Sequence, residues 1–173
     1  MAIAAYPVTL EAKGLTLRAP TPQDLPLYAG FYAVSDLTVG GYRGGRSASE
    51  VEAIVARDIA HWDDKGFGIF LVFDGDTFMG GTGLAYPDDW PCHELTWWLM
   101  PDARGRGIAT RASRAVINWA YGTLGWDRVE THMRDENLPA RRLAQRLDGR
   151  IDRRQTFPDG VTRDVFLLPR GTA

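Results

Sequence analysis

The stretch Arg104-Gly105-Arg106-Gly107 has the residue types and spacing of an anion site. It links a strand-like run ending at Pro101 to a segment with helical periodicity. A wide glycine-rich turn of this kind leaves several backbone N–H groups without partners. They converge at the positive end of the following helix dipole, where phosphate binds well. Gly105 and Gly107 let an anion approach the main chain, and Arg104 and Arg106 add charge. No Gly-Lys-Ser/Thr follows, so the turn is not a P-loop, and the third glycine of a dinucleotide fingerprint is absent. The bland alternative is a plain helix start whose glycines only solve a turn.

Other chemistry is sparse. The single cysteine, Cys92, excludes an internal disulfide, and nothing beside it argues for an activated thiol. The histidines His61, His93 and His132 are scattered, and Cys92-His93 is no metal pattern, so no metal is expected. The formal net charge is -2, which argues against a general nucleic-acid coat. That total conceals a split. Residues 1–100 carry 6 Lys/Arg and 13 Asp/Glu, whereas residues 101–173 carry 14 Arg and 9 Asp/Glu. Such a split suits a protein that holds an anion with its second half and a cation with its first. No apolar run approaches the roughly 20 residues needed to span a bilayer, and no signal peptide is read at the N-terminus. The expectation is a soluble cytoplasmic protein that binds neither membrane nor nucleic acid.

The elements that must position the turn follow from pattern. At 173 residues the chain suits one domain, residues 1–173, with no repeat or linker. Leu15 to Arg18 reads as a strand. Thr21-Pro22-Gln23-Asp24 caps a helix through Tyr32, and Ser47 to Glu50 caps another to about Asp64. Gly40 to Gly45, with four glycines in six residues, is a loop. Gly68 to Phe73 and Thr77 to Ala85 are strands joined by Asp74-Gly75-Asp76. His93 to Met100 is a strand. Ile108, Ala112, Ala115, Val116 and Trp119 form the apolar stripe of the helix after the turn. Arg128 to Met133 is a strand, and Asn137 caps a helix to about Leu147. Ile151 to Phe157 and Arg163 to Leu168 are strands joined by Pro158-Asp159-Gly160. This is a mixed α/β sheet with helices on its faces, and strand-helix-strand 93–133 is expected to be a right-handed parallel unit.

Three stretches carry a family resemblance. Arg104-Gly105-Arg106-Gly107-Ile108-Ala109 resembles the Arg/Gln-x-x-Gly-x-Gly/Ala motif of the GCN5-related N-acetyltransferase (GNAT) superfamily. Glu94-Leu95-Thr96-Trp97-Trp98-Leu99-Met100-Pro101 is similar to the Glu-Ile-Gly-Tyr-Trp-Leu-x-Pro stretch of its ribosomal-protein N-terminal acetyltransferase (RimJ/RimL-like) branch. Asn137-Leu138-Pro139-Ala140 resembles that branch's Asn-x-x-Ser helix start. The resemblance covers essentially the whole chain. It implies a mostly antiparallel, twisted sheet of about six to seven strands, about four helices, and a splayed parallel strand pair.

It also implies a chemistry: direct transfer of acetyl from acetyl-CoA to a primary amine. The pyrophosphate of acetyl-CoA would lie on the amides of Arg104, Gly105, Arg106, Gly107, Ile108, Ala109 and Thr110. Trp98, Leu99 and Met100 would offer backbone groups to the pantetheine arm. Asn137 would touch that arm, or only cap its helix. Glu94 is the implied base, because an ammonium acceptor must lose a proton before its nitrogen attacks. His93 is a competing base on the opposite face of a regular strand. Trp90, Trp97 and Trp98 are candidate pocket walls for a cationic acceptor, a peptide N-terminus or a small molecule. Arg141 and Arg142 are candidate contacts to the adenosine phosphate or simply a solvated face. Phe31, Tyr32 and the 40–45 loop lie where the family binds its acceptor. Ala140 and Ala144 stand where relatives carry serine and tyrosine, so neither supplies the general acid. That departure keeps open a second reading, a catalytically weak acyl-CoA-binding or regulatory module. The sequence does not decide between a monomer and a homodimer.

Overall fold

The computed structural model describes residues 8–37 and 42–171. Gly40 and Gly41 of the glycine loop lie outside the described residues, and Tyr42 to Gly45 is irregular. The elements are β1 (Thr9–Ala12), β2 (Leu15–Arg18), α1 (Leu25–Val34), α2 (Ala48–Lys65), β3 (Ile69–Asp74), β4 (Thr77–Ala85), β5 (Glu94–Leu99), α3 (Ile108–Gly122), β6 (Val129–Met133), α4 (Leu138–Arg146), β7 (Arg150–Thr156) and β8 (Thr162–Leu168).

Local chemistry explains most boundaries. The Ser47 hydroxyl accepts from Glu50 N–H at 3.2 Å, and the Glu50 carboxylate accepts from Ser47 N–H at 3.1 Å. This reciprocal cap starts α2, and Gly66 ends it at φ 77°. At the earlier cap, Asp24 accepts from Thr21 N–H and from both terminal nitrogens of Arg18, at 2.7 to 2.8 Å. Those bonds hold Pro22–Asp24 as a 3₁₀ turn, so α1 proper begins only at Leu25.

Strands β1 to β5 form one sheet in chain order. Its residues alternate between two cores. Phe70, Val72, Leu84 and Leu95 pack under α3 with Ile108, Ala112, Val116 and Trp119. Leu71 and Trp98 pack under α1 and α2 with Tyr28, Phe31, Val51 and Val55. The Trp98 ring lies against β4 only because residue 81 is glycine. A Cβ at Gly81 would stand 2.6 Å from that ring.

Two expectations are corrected. The first sheet has five strands rather than four, because β1 pairs with β2 through Lys13 and Gly14, both at positive φ. The second correction concerns topology. β6, β8 and β7 form a separate three-stranded sheet in that order, giving eight strands among the described residues. Every pairing among the described residues is antiparallel, so the parallel unit expected over 93–133 is absent. Side chains occupy the positions a β5–β6 ladder would need. The Thr131 hydroxyl donates to Leu95 O at 2.8 Å, and Glu130 N–H donates to His93 Nε2 at 3.0 Å. These bonds hold two sheet edges beside one another without a ladder.

Candidate active site

The turn before α3 leaves its backbone donors uncommitted. Pro101–Ala103 is a 3₁₀ turn, and Gly105 and Gly107 take φ 74° and 72°. The first helical bond of α3 runs from Arg111 N–H to Gly107 O at 3.1 Å. Among the described residues, none of the six N–H groups from Gly105 to Thr110 has an acceptor in the protein. Ile108 is buried and fixes the helix start, while Arg104 to Gly107 are exposed. A Cβ at Gly105 or Gly107 would meet nothing within 4 Å, so the turn is open at those two positions. Unpaired donors, a helix N-terminus and open space together fit a pyrophosphate. Arg106 lies 3.6 Å from Asp74 on the surface.

From this turn β5 runs back as the edge strand of its sheet. Met100 N–H donates to Met79 O at 2.9 Å. In an antiparallel pair, alternate residues direct both backbone groups to the neighbour. Trp98 shares the phase of Met100, so its main chain is used by β4. Leu99, and Trp97 two residues back, direct N–H and C=O to the free edge. Of the three residues expected to greet the pantetheine arm, Leu99 has the available backbone. Trp98 contributes an indole to the α1–α2 core, 4.4 Å from Phe31 between ring centroids.

Glu94 begins β5, five residues before Leu99 and so about 16 Å along an extended strand. It shares a face with Thr96 and Trp98. About 27 % of its side chain is exposed. Burial pushes the carboxyl up to about 7, with Arg163 opposing. His132 Nε2 lies 3.4 Å from its Oε2. Burial, helped by Arg163, pushes that imidazole down to about 4. Two residues along the face, the Tyr42 hydroxyl lies 2.6 Å from Thr96 Oγ1. His93 projects the other way, its ring 4.5 Å from Trp126. Its Nε2 lone pair is occupied by Glu130 N–H, and burial pushes its pKa down.

The remaining candidates divide. Trp90 stacks on Phe157, 5.5 Å between centroids, beside His132. Trp97 packs with Met133, Ala140, Ala144 and Phe166, so Ala140 and Ala144 of α4 belong to an apolar cluster. The Asn137 side chain accepts from Ala140 N–H at 3.3 Å, which is a helix cap. Arg141 is paired with Asp164 at 2.5 Å and Asp135 at 3.3 Å, and Arg142 is exposed. Phe31 and Tyr32 are core residues. The acidic surplus of the first hundred residues is not gathered at Glu94. Asp24 pairs with Arg18, Asp58 with Arg57, and Asp88 with Lys65. Cys92 is buried, and burial pushes its thiol up, away from nucleophilic use. No group of three or more metal-ligating side chains occurs among the described residues, nor any helix long and apolar enough to cross a membrane.

The sequence marks His132 only as one of three scattered histidines and Tyr42 only as part of the 40–45 loop, and gives Phe157 and Arg163 no site role. One signal existed for His132: β6 is buried along its whole length, so a polar residue in it needs a partner.

The fold is that of a known group. Residues 14–150 match the Acetyltransferase (GNAT) domain model, and the chain belongs to that family. It is similar to an acetyltransferase from Agrobacterium tumefaciens, at 26 % identity and TM-score 0.82 over 98 % of both chains. The fold is shared with an acetyl transferase from Salmonella typhimurium that modifies the N-terminal serine of ribosomal protein L7/L12. There the identity is 16 % and the TM-score 0.76, over 92 % of this chain and 98 % of that one. It is also shared with a RimL ribosomal L7/L12 alpha-N-protein acetyltransferase solved with coenzyme A. That match has 14 % identity and TM-score 0.77, over 95 % and 100 %.

Proposed function

We propose that this protein is an N-acetyltransferase that moves acetyl from acetyl-CoA directly to a primary amine. The observation that carries this is the row of six unpartnered N–H groups, Gly105 to Thr110, in an exposed turn at the start of α3. They would hold the pyrophosphate, with Arg104 and Arg106 adding charge at the rim. The free edge of β5 at Leu99 and Trp97 would align the pantetheine arm. Acetyl-CoA supplies the acetyl thioester. Glu94, at the far end of the same strand, takes one proton from the ammonium group, directly or through a water. A carboxyl near 7 is matched to that task at neutral pH. No hydroxyl on α4 stands ready to protonate the departing sulfur. The amine's second proton can go to the thiolate, so a separate acid is not required for the protons to balance.

The acceptor is read as a cation, because the part-exposed carboxyl of Glu94 attracts an ammonium group, with the Trp90 indole close by across His132. A peptide N-terminus is favoured slightly over a small amine, on the likeness of Glu94 to Pro101 to the ribosomal-protein branch and on the two structures that acetylate L7/L12.

Thiol release from acetyl-CoA with a panel of acceptors tests this. Amines should outperform neutral and anionic compounds. Glu94→Gln should lower kcat/KM by about 10²-fold while CoA affinity barely changes. The loss should shrink at high pH, where more of the amine is already neutral. Near-normal rates in that variant from about pH 6 to 9 would remove Glu94 from the chemistry. CoA binding without turnover on any amine would favour the regulatory module instead.

A further inference from the structure

The carboxyl of Glu94 has an imidazole beside it. His132, in the middle of the buried strand β6, places Nε2 3.4 Å from Glu94 Oε2, and only 4 % of its side chain is exposed. The same nitrogen lies 3.4 Å from Trp90 Nε1. Phe157 packs 4.2 Å from the imidazole centroid and stacks on Trp90, which holds both rings in place. An indole N–H can only donate, and an ionised carboxylate can only accept. Nε2 has a single in-plane site, so it cannot serve both neighbours. A bare Nε2 accepts from Trp90 or from a protonated Glu94, but opposes its lone pair to an ionised one. A protonated Nε2 donates to ionised Glu94 and leaves Trp90 without its acceptor.

We propose that His132 is a positioning residue whose ring tautomer is coupled to the ionisation of Glu94. The Nε2–H form holds the carboxylate ready to take a proton, and the Nδ1–H form accompanies the carboxylic acid. This rests on reading Glu94 as the proton acceptor for the incoming amine.

The charged surroundings are few. Arg163 of β8 acts on Glu94, which in turn acts on the Tyr42 hydroxyl and the Cys92 thiol. Toward His132 stand Glu130 of its own strand, Arg153 of β7, Asp159 of the β7–β8 turn and Arg163. Arg163 is itself held by both oxygens of Asp159 at 2.6 and 3.0 Å. With the ring pushed down to about 4, His132 stays neutral near pH 7, so the change is of tautomer and not of charge. One proton passes between Nδ1 and Nε2 through water, with no net charge moved. The carboxyl proton goes to solvent as pH rises, or arrives from the amine during turnover.

Nitrogen-15 NMR of the imidazoles from about pH 5 to 9 reads this without needing activity. His132→Gln identifies the signal. In the wild type, Nε2 should pass from the bare-nitrogen to the N–H position with a midpoint near 7, the value of the carboxyl. In Glu94→Gln the transition should vanish, and in Trp90→Phe, which removes the competing donor, it should move to lower pH. A tautomer that ignores pH in the wild type, or titrates unchanged in Glu94→Gln, overturns the coupling. In acetyl transfer, His132→Phe should raise the acid-limb midpoint of kcat/KM by about one pH unit, since the ionised carboxyl loses its donor. His132→Gln, which restores an N–H near the place of Nε2, should return it toward the wild type. An NMR transition in a protein that acetylates no amine would refute the proposed function and leave the coupling standing. Turnover without the transition would do the reverse.

Discussion

Glu94→Gln should make the protein more stable at neutral pH while lowering its proposed activity. The folded carboxyl sits at about 7 against an ordinary 4.5. As pH rises, the unfolded chain releases this proton first, so the folded state loses stability from about pH 4.5 and the loss levels off above pH 7. At 1.36 kcal/mol per pH unit the gap corresponds to about 3 kcal/mol. The 27 % of the side chain still open to water trims this to about 2 kcal/mol. Glutamine keeps the shape and can still hydrogen-bond to His132, but has no charge to desolvate. The variant should therefore exceed the wild type by about 2 kcal/mol near pH 8, or roughly 4–8 °C in Tm for a chain of this size. Near pH 4 the two should coincide, because Glu94 is then protonated in the folded state. His132 loses stability toward acid in both proteins and cancels in the difference. Urea melts of both proteins at steps across this range would read the effect. A gap independent of pH, or one that widens toward acid, would refute burial of the Glu94 charge.

Gly107→Val should weaken CoA binding at least tenfold by calorimetry, because a branched residue is strained at φ 72° and projects into the open turn. Unchanged affinity with an intact circular dichroism spectrum would displace the anion site. Tyr42→Phe should cost about 1 kcal/mol in denaturant melts through its lost bond to Thr96, with no change in CoA affinity. A fall in CoA affinity would instead place the hydroxyl at the cofactor. For Asp24, burial alone pushes the carboxyl up, but the bonds from Arg18 and Thr21 outweigh it and hold it below the ordinary range. Its stabilisation is thus present above that range and lost as pH falls through the lowered value. Asp24→Asn should cost about 2 kcal/mol at pH 7 and less in acid, and an equal cost at both would assign the effect to packing alone.

Much of the local structure follows from sequence because its causes are local. The caps at Ser47 and Asn137, the turn at Gly75 and the glycine-arginine turn each depend on a few adjacent residues. The apolar stripes of α2 and α3 likewise need only periodicity. β1 escaped because its turn, Lys13-Gly14, places a lysine at φ 45°, where glycine or asparagine is the usual signal.

The split into two sheets, and the company Glu94 keeps, depended on tertiary structure. Whether β5 and β6 form a ladder is decided by which groups reach their facing edges. The Thr131 hydroxyl and the His93 ring arrive there instead of a partner's backbone. Glu94 and His132 are 38 residues apart in sequence, with all of α3 between them, and no periodicity within either strand links the two. Their 3.4 Å approach exists because separate sheets bring β5 and β6 side by side. Residue types therefore announced an anion site and a carboxyl. The protonation chemistry of that carboxyl depends on how much water the packed sheets exclude, which is a property of the whole fold.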